Sequence, residues 1–259
     1  MPRFRLTLEY DGTEFLGWQA QAAGARTVQG TLEAALEGLL GTPAGVTGAG
    51  RTDAGVHAEG QVASFAADTS LEPRAIQKAL NGRLPADLAV VACEVVPSAF
   101  DPRRDACSKH YRYALWNGPE RSPLRRRHAP LVPGTLDVAA MTRAARAFEG
   151  EHDFASLQST GSSVKTSVRT LLRCEVQGVA GGEIRLDVEG TGFLRHMVRA
   201  LAGTLVEVGQ GRRSEGSIPA LLAATDRSQA GPTAPAAGLT LVAVCYPGVP
   251  GDSVANPGV

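Results

Sequence analysis

The segment Gly48-Ala49-Gly50-Arg51-Thr52-Asp53-Ala54-Gly55-Val56-His57-Ala58 sets an arginine and an aspartate two residues apart among glycines. It is too short and too glycine-rich for a helix, so a loop between strands is expected. Alternate residues of an extended segment point the same way, so Arg51 and Asp53 can share one face. Gly48, Gly50 and Gly55 allow tight turning or positive φ and leave room for another molecule to approach. Thr52 can brace the turn with its hydroxyl. An isolated Arg-x-Asp is usually a polar turn with a weak surface ion pair; the full string is far more specific.

Around this loop the hydrophobic pattern alternates between strand and helix. Phe4, Leu6, Leu8 and Tyr10 alternate with polar neighbours and read as a half-buried strand. Thr27 is placed to cap a helix carrying Val28, Leu32, Leu36 and Leu39 and ended by Gly41. A short segment near Val46 leads into the loop and 61–66 leaves it as a strand. A second helix is expected from Pro73 to Asn81-Gly82. The apolar run 89–96 reads as a central strand. The resulting order, strand-helix-strand-strand-helix-strand, resembles the ferredoxin-like split βαβ pattern. A second set follows: strands at 108–116, 168–177 and 184–189, helices at 138–148, 193–208 and 218–224, and a last strand at 239–246. The expected organisation is an N-terminal half over 1–105, a C-terminal half over 106–247 and a disordered tail over 248–259.

Composition narrows the classes. Hydrophobic residues make up 43% and charged residues 20%, ordinary for a globular chain. No apolar run is long enough to span a bilayer. Met1-Pro2-Arg3-Phe4-Arg5 enters the first strand pattern with no signal-peptide core, so a cytoplasmic protein with no membrane partner is expected. Cys93, Cys107, Cys174 and Cys245 are widely spaced in apolar runs, which predicts buried, reduced thiols rather than a zinc or redox site. The histidines His57, His110, His128, His152 and His196 lack metal-ligand spacing.

Lys+Arg and Asp+Glu are equal at 26 each, which counts against a nucleic-acid partner. The distribution reverses that inference locally. Arg103, Arg104, Lys109, Arg112, Arg121, Arg125, Arg126 and Arg127 face only Asp101, Asp105 and Glu120 in the same stretch. Arginine suits bidentate phosphate contacts; a solvated charged face is the other reading of Arg125-Arg126-Arg127.

The string Gly50-Arg51-Thr52-Asp53-Ala54-Gly55-Val56-His57-Ala58 closely resembles the signature of the TruA family of tRNA pseudouridine synthases. The resemblance runs from about Arg3 to Pro247. It is carried also by Tyr10-Asp11-Gly12, Gly17-Trp18-Gln19 and Thr27-Val28-Gln29, then by Lys109-His110-Tyr111-Arg112-Tyr113. His152-Asp153-Phe154, Gly192-Phe193-Leu194-Arg195-His196-Met197-Val198-Arg199 and Pro235-Ala236-Ala237-Gly238-Leu239 complete it. The chain departs from the family pattern at Leu157, where an aromatic is expected, and at Ala200, where Asn often stands.

The resemblance implies an α/β (α+β) fold of two ferredoxin-like, RRM-like halves whose mainly antiparallel sheets merge, with the active-site cleft between them. It implies an isomerase that converts uridine to pseudouridine at positions 38 to 40 of the tRNA anticodon stem-loop. That enzyme works as a homodimer and uses no cofactor and no metal. The nucleophile implied is Asp53, attacking either sugar or base, and the uridine must be flipped out of its stack. Arg199 is implied as the charge partner, although a helix over 193–208 would put Arg195 on the same face four residues away. Tyr111 is implied to stack on the uracil and to take the C5 proton; Tyr113 lies on the same side of its strand. Arg51 is placed to enter the RNA stack or hold a phosphate, and Arg125, Arg126 and Arg127 to hold the backbone. The rival reading is a non-catalytic RNA-binding module on the same scaffold.

Overall fold

Phe4, Leu6, Leu8 and Tyr10 all lie buried along the first strand, β1 (Arg3–Tyr10), in the computed structural model, which describes residues 1–21, 24–159 and 165–247. The tail expected over 248–259 lies outside the described residues. The chain divides into two units, Met1–Cys107 with the chain from Leu241 onward, and Ser108–Thr240.

In the first unit β1 is followed by α1 (Val28–Leu40), β2 (Thr47–Gly48), β3 (His57–Ala66), α2 (Pro73–Asn81) and β4 (Leu88–Val96). The ladders β1–β3, β1–β4 and β2–β3 are antiparallel. The order β4-β1-β3, with β2 on β3, is that of a split βαβ unit. The helix signals act as expected. The Thr27 side chain accepts from the Gly30 N–H, and Gly41 closes α1 in the left-handed region. Pro73 opens α2.

β1 alternates as expected, with Glu9 exposed and Arg3 and Thr7 partly so on its other face; the exception there is Arg5, which is buried, pairs with Glu94 at 2.9 Å and lies over the Tyr246 ring at 5.0 Å. One expectation is corrected here. β4 is not central. It stands at the end of the strand order, with Val91 and Val95 exposed, and α2 packs on it. A continuous apolar run reports hydrophobicity on both faces but not how many neighbours a strand has.

The second unit contains β5 (Ser108–Trp116), α3 (Val138–Arg146), β6 (Gly150–Asp153), β7 (Val168–Val179), β8 (Glu183–Gly190), α4 (Met197–Gly209) and α5 (Ile218–Ala224). Its strands run β5-β8-β7-β6 with antiparallel ladders. Helices α3 and α4 pack on one another, α3 also on β7 and α4 on β5. The departures Leu157 and Ala200 are both fully buried, so an aliphatic and a small residue fill core space there.

The last strand, β9 (Leu239–Cys245), lies next to β3 in the strand order, and Leu241–Cys245 belong to the first unit. A side chain at Gly60 of β3 would meet the Val242 carbonyl at 2.4 Å, so that close approach requires glycine. The chain is thus an α+β fold with largely antiparallel sheet. Of the thiols, Cys174 and Cys245 are buried and Cys93 is partly so, but Cys107 is exposed, against expectation; all four are free. Burial pushes the Cys93 thiol up to about 12 and raises Cys174 further, which keeps both protonated.

Candidate active site

The loop that carries Arg51 and Asp53 runs from β2 to β3, and its shape is imposed by the segment after β1. The Trp18 N–H donates to the Thr52 carbonyl at 3.0 Å and the Gly55 N–H to the Phe15 carbonyl at 3.3 Å. Gly17 has φ +92°, and a Cβ there would come within 2.8 Å of the Thr52 oxygen. The Trp18 ring covers Gly48 so closely that a Cβ at Gly48 would sit 2.5 Å from it. The Gly12 N–H points at His57 Nδ1 at 3.0 Å. Asp11 Oδ1 lies 3.2 Å from the same nitrogen and also accepts from the Thr13 N–H.

Thr52 does brace the loop, but not within its own turn. Its hydroxyl is hydrogen-bonded to the Tyr10 hydroxyl at 2.8 Å, and both residues are buried. Burial pushes the Tyr10 phenol up to about 12, against the hydrogen bonds of Thr52 and Gln61. Gln61 also donates to the Gly50 carbonyl at 2.9 Å. Gln29 of α1 accepts from Gln19 and the Ala20 N–H, and donates to Glu33 and the Val46 carbonyl. Arg51 is exposed and Asp53 half-buried, so this frame presents both at the surface of a fixed loop. Tyr10→Phe is expected to leave the buried Thr52 hydroxyl short of a partner and to lower stability by about 1–3 kcal/mol. Urea unfolding of the variant against wild type measures this.

In the second unit Tyr111 and Tyr113 share one face of β5, as expected, but their surroundings differ. The Tyr113 hydroxyl donates to the Pro235 carbonyl at 3.0 Å, and Gly238 backs its ring so closely that a Cβ would lie 2.5 Å from Cζ. Burial raises the Tyr113 phenol pKa, opposed by the nearby Arg199 charge. Tyr111 meets the Phe193 ring edge-on at 4.9 Å. Arg199 lies in the first turn of α4, half-buried, and its Nε donates to the Ala234 carbonyl at 2.8 Å.

The expectation that Arg195 and Arg199 share a helical face is overturned. α4 starts only at Met197, because His196 takes a left-handed conformation with φ +61°. His196 Nδ1 is hydrogen-bonded to the Ser159 hydroxyl at 2.8 Å, and the Arg195 carbonyl accepts from the Ser159 N–H at 3.2 Å. Arg195 is therefore an exposed residue outside the helix. His152-Asp153 sits at the end of β6, where Asp153 accepts from the Ala155 N–H.

Arg125, Arg126 and Arg127 are exposed on the loop between β5 and α3, but not equivalent. The Arg125 guanidinium lies over the Trp116 ring at 4.5 Å and 3.9 Å from Glu183. Arg126 donates to the Pro123 carbonyl at 3.1 Å. Among the described residues no group of three His, Cys, Asp or Glu side chains could hold a metal ion, and no helix is long and apolar enough to cross a membrane.

Residues 7–103 and 144–247 match the family model described as tRNA pseudouridine synthase. The chain belongs to the tRNA pseudouridine synthase family. Similar curated relatives include tRNA pseudouridine synthase A of Myxococcus xanthus, 49% identical over 95% of this chain and 92% of the relative. Those of Geotalea uraniireducens, at 46%, and Geobacter sp. strain M21, at 49%, each match 95% of this chain and their own full length. Tyr10–Trp18 and the signature string are joined by hydrogen bonds into one frame around the loop that carries Arg51 and Asp53. The pair Tyr111 and Tyr113 falls between the two stretches matched by the family model.

Proposed function

We propose that this tRNA pseudouridine synthase isomerises uridine at positions 38 to 40 of the anticodon stem-loop, with Asp53 as its nucleophile. The reaction breaks the C1′–N1 bond, turns the uracil and joins C1′ to C5. The C5 proton leaves and N1 gains one, so the reaction is redox-neutral and needs no cofactor. A carboxylate does this work only while ionised, and a guanidinium partner keeps it so when water is excluded. Arg199 takes that role in this reading; it is half-buried and oriented by Ala234.

Tyr111 supplies the ring against which the uracil stacks and the group that receives the C5 proton. The choice of Tyr111 over its neighbour follows its place in the string Lys109-His110-Tyr111-Arg112-Tyr113; the Tyr113 hydroxyl is committed to Pro235. Arg51 enters the RNA stack or holds the phosphate once the base is out, a step that any enzyme working on a stacked base needs. The enzyme acts as a cytoplasmic homodimer on tRNA. The observation that carries the reading is the rigid, surface-facing Asp53 loop in a chain of this family. Incubation with unmodified tRNA followed by mapping of pseudouridine tests it. Product at 38 to 40 is expected; product elsewhere overturns the position, and no product overturns the activity.

The basic loop is proposed to hold the RNA backbone. Replacing Arg125, Arg126 and Arg127 together by Gln is expected to weaken tRNA binding and to flatten its salt dependence by roughly 0.7 to 0.9 in slope per lost phosphate contact. The rate on fully bound tRNA should change little. Coincident slopes for wild type and the triple variant would assign the cluster to a solvated face.

A further inference from the structure

Leu124, in the middle of the basic loop, is 92% exposed, the most exposed large apolar side chain among the described residues. A loop that merely spans solvent has no need of a leucine there, and one exposed apolar residue alone would be unremarkable. The setting makes it informative, because the loop is built rather than slack. Trp116 Nε1 donates to the Glu120 carbonyl at 2.6 Å, and the ring leaves no room for a side chain at Gly118, whose Cβ would fall 2.2 Å from it. Asn117 donates to the carbonyls of Val132 and Gly134 at 2.8 and 2.7 Å. The N–H groups of His128 and Ala129 both donate back to the Arg125 carbonyl. Arg125 closes the brace by lying over Trp116. The result is a pre-shaped turn with Leu124, Arg126 and Arg127 exposed on it.

We infer that Pro123–Arg127 is an RNA contact of two chemical parts: Leu124 against the apolar face of a base or ribose, and Arg126 with Arg127 on the flanking phosphates. This rests on the tRNA reading above and goes further by separating an apolar contact from the ionic ones and assigning Arg125 to the brace. Charge selects the partner. A twofold contact between two copies centred on Leu124 would set two arginine triplets side by side, which repel. A polyanion with apolar base faces satisfies both the leucine and its neighbours, and apolar side chains set against bases are a known element of nucleic-acid binding. A pre-ordered turn also lowers the entropy lost on binding.

The test is binding of an unmodified tRNA transcript to the full chain across a range of salt concentrations. Leu124→Ala is expected to weaken binding by about tenfold, the scale of burying part of a leucine side chain, with an unchanged salt slope and an unchanged thermal midpoint. Leu124→Met should restore most of the affinity. Arg126→Gln with Arg127→Gln should reproduce most of the slope change of the triple variant. Wild-type affinity in Leu124→Ala would overturn the inference. So would a shift of Leu124→Ala toward monomer in sedimentation without any change in tRNA affinity, which would place a second copy on Leu124. If wild type itself fails to bind tRNA at every salt concentration, the tRNA reading falls instead.

Discussion

Asp53→Asn is expected to bind tRNA as wild type does and to form no pseudouridine under single-turnover conditions. The substitution keeps the size and most of the hydrogen-bonding capacity of the side chain but removes its charge, and a neutral amide is no nucleophile. The loop should survive the change, because its shape is set by other groups. Trp18 holds the Thr52 carbonyl, Phe15 holds the Gly55 N–H, and Tyr10 holds the Thr52 hydroxyl. Asp53→Glu supplies the complementary case. It retains a carboxylate but displaces it by one methylene, and a misplacement of about 1 Å can cost roughly a hundredfold in rate. A lost but intact site therefore separates from a distorted one: Asn gives zero turnover with full binding, and Glu gives slow turnover with full binding. Conversion by Asp53→Asn above a tRNA-only control would remove Asp53 from the nucleophile's role.

Much of the fold was legible because its signals are local. Thr27 and Gly41 bound α1, and Pro73 opens α2, through interactions within a few residues. The ordering of elements in the first unit follows from the same signals. What stayed hidden depends on contacts far apart in sequence. The apolar run of β4 gives no sign that it ends the strand order, since that depends on which strands lie beyond it. The left-handed His196 that delays α4 is hydrogen-bonded to Ser159, 37 residues earlier. Thr52 was recognisable as a brace, but its partner Tyr10 lies 42 residues away. The motifs around the candidate site were visible as strings. Their physical connection, with Gly17 and Trp18 shaping the Asp53 loop and Pro235 and Gly238 clamping Tyr113, emerges only in three dimensions.

Arg199→Met is expected to cost far more activity than Arg195→Met. If Arg199 is the charge partner of Asp53, its removal strands a carboxylate in a water-depleted site, a penalty of about 3 kcal/mol or more and thus a rate loss of roughly two orders of magnitude. Arg195 stands outside α4 and is exposed, and exposed substitutions of this kind usually change stability by no more than about 0.5 kcal/mol. The comparison needs a control for structure, because Arg199 Nε also satisfies the Ala234 carbonyl. Arg199→Lys provides it. Lysine keeps the positive charge but offers a single ammonium, which cannot hold the Ala234 carbonyl and face a carboxylate in the geometry of a guanidinium. A charge role predicts partial activity for Lys and almost none for Met at similar losses of stability, since both give up the Ala234 contact. A purely structural role predicts that loss of activity tracks loss of stability in both. Equal, small losses in Arg199→Met and Arg195→Met would show that the partner of the catalytic carboxylate lies elsewhere in the chain.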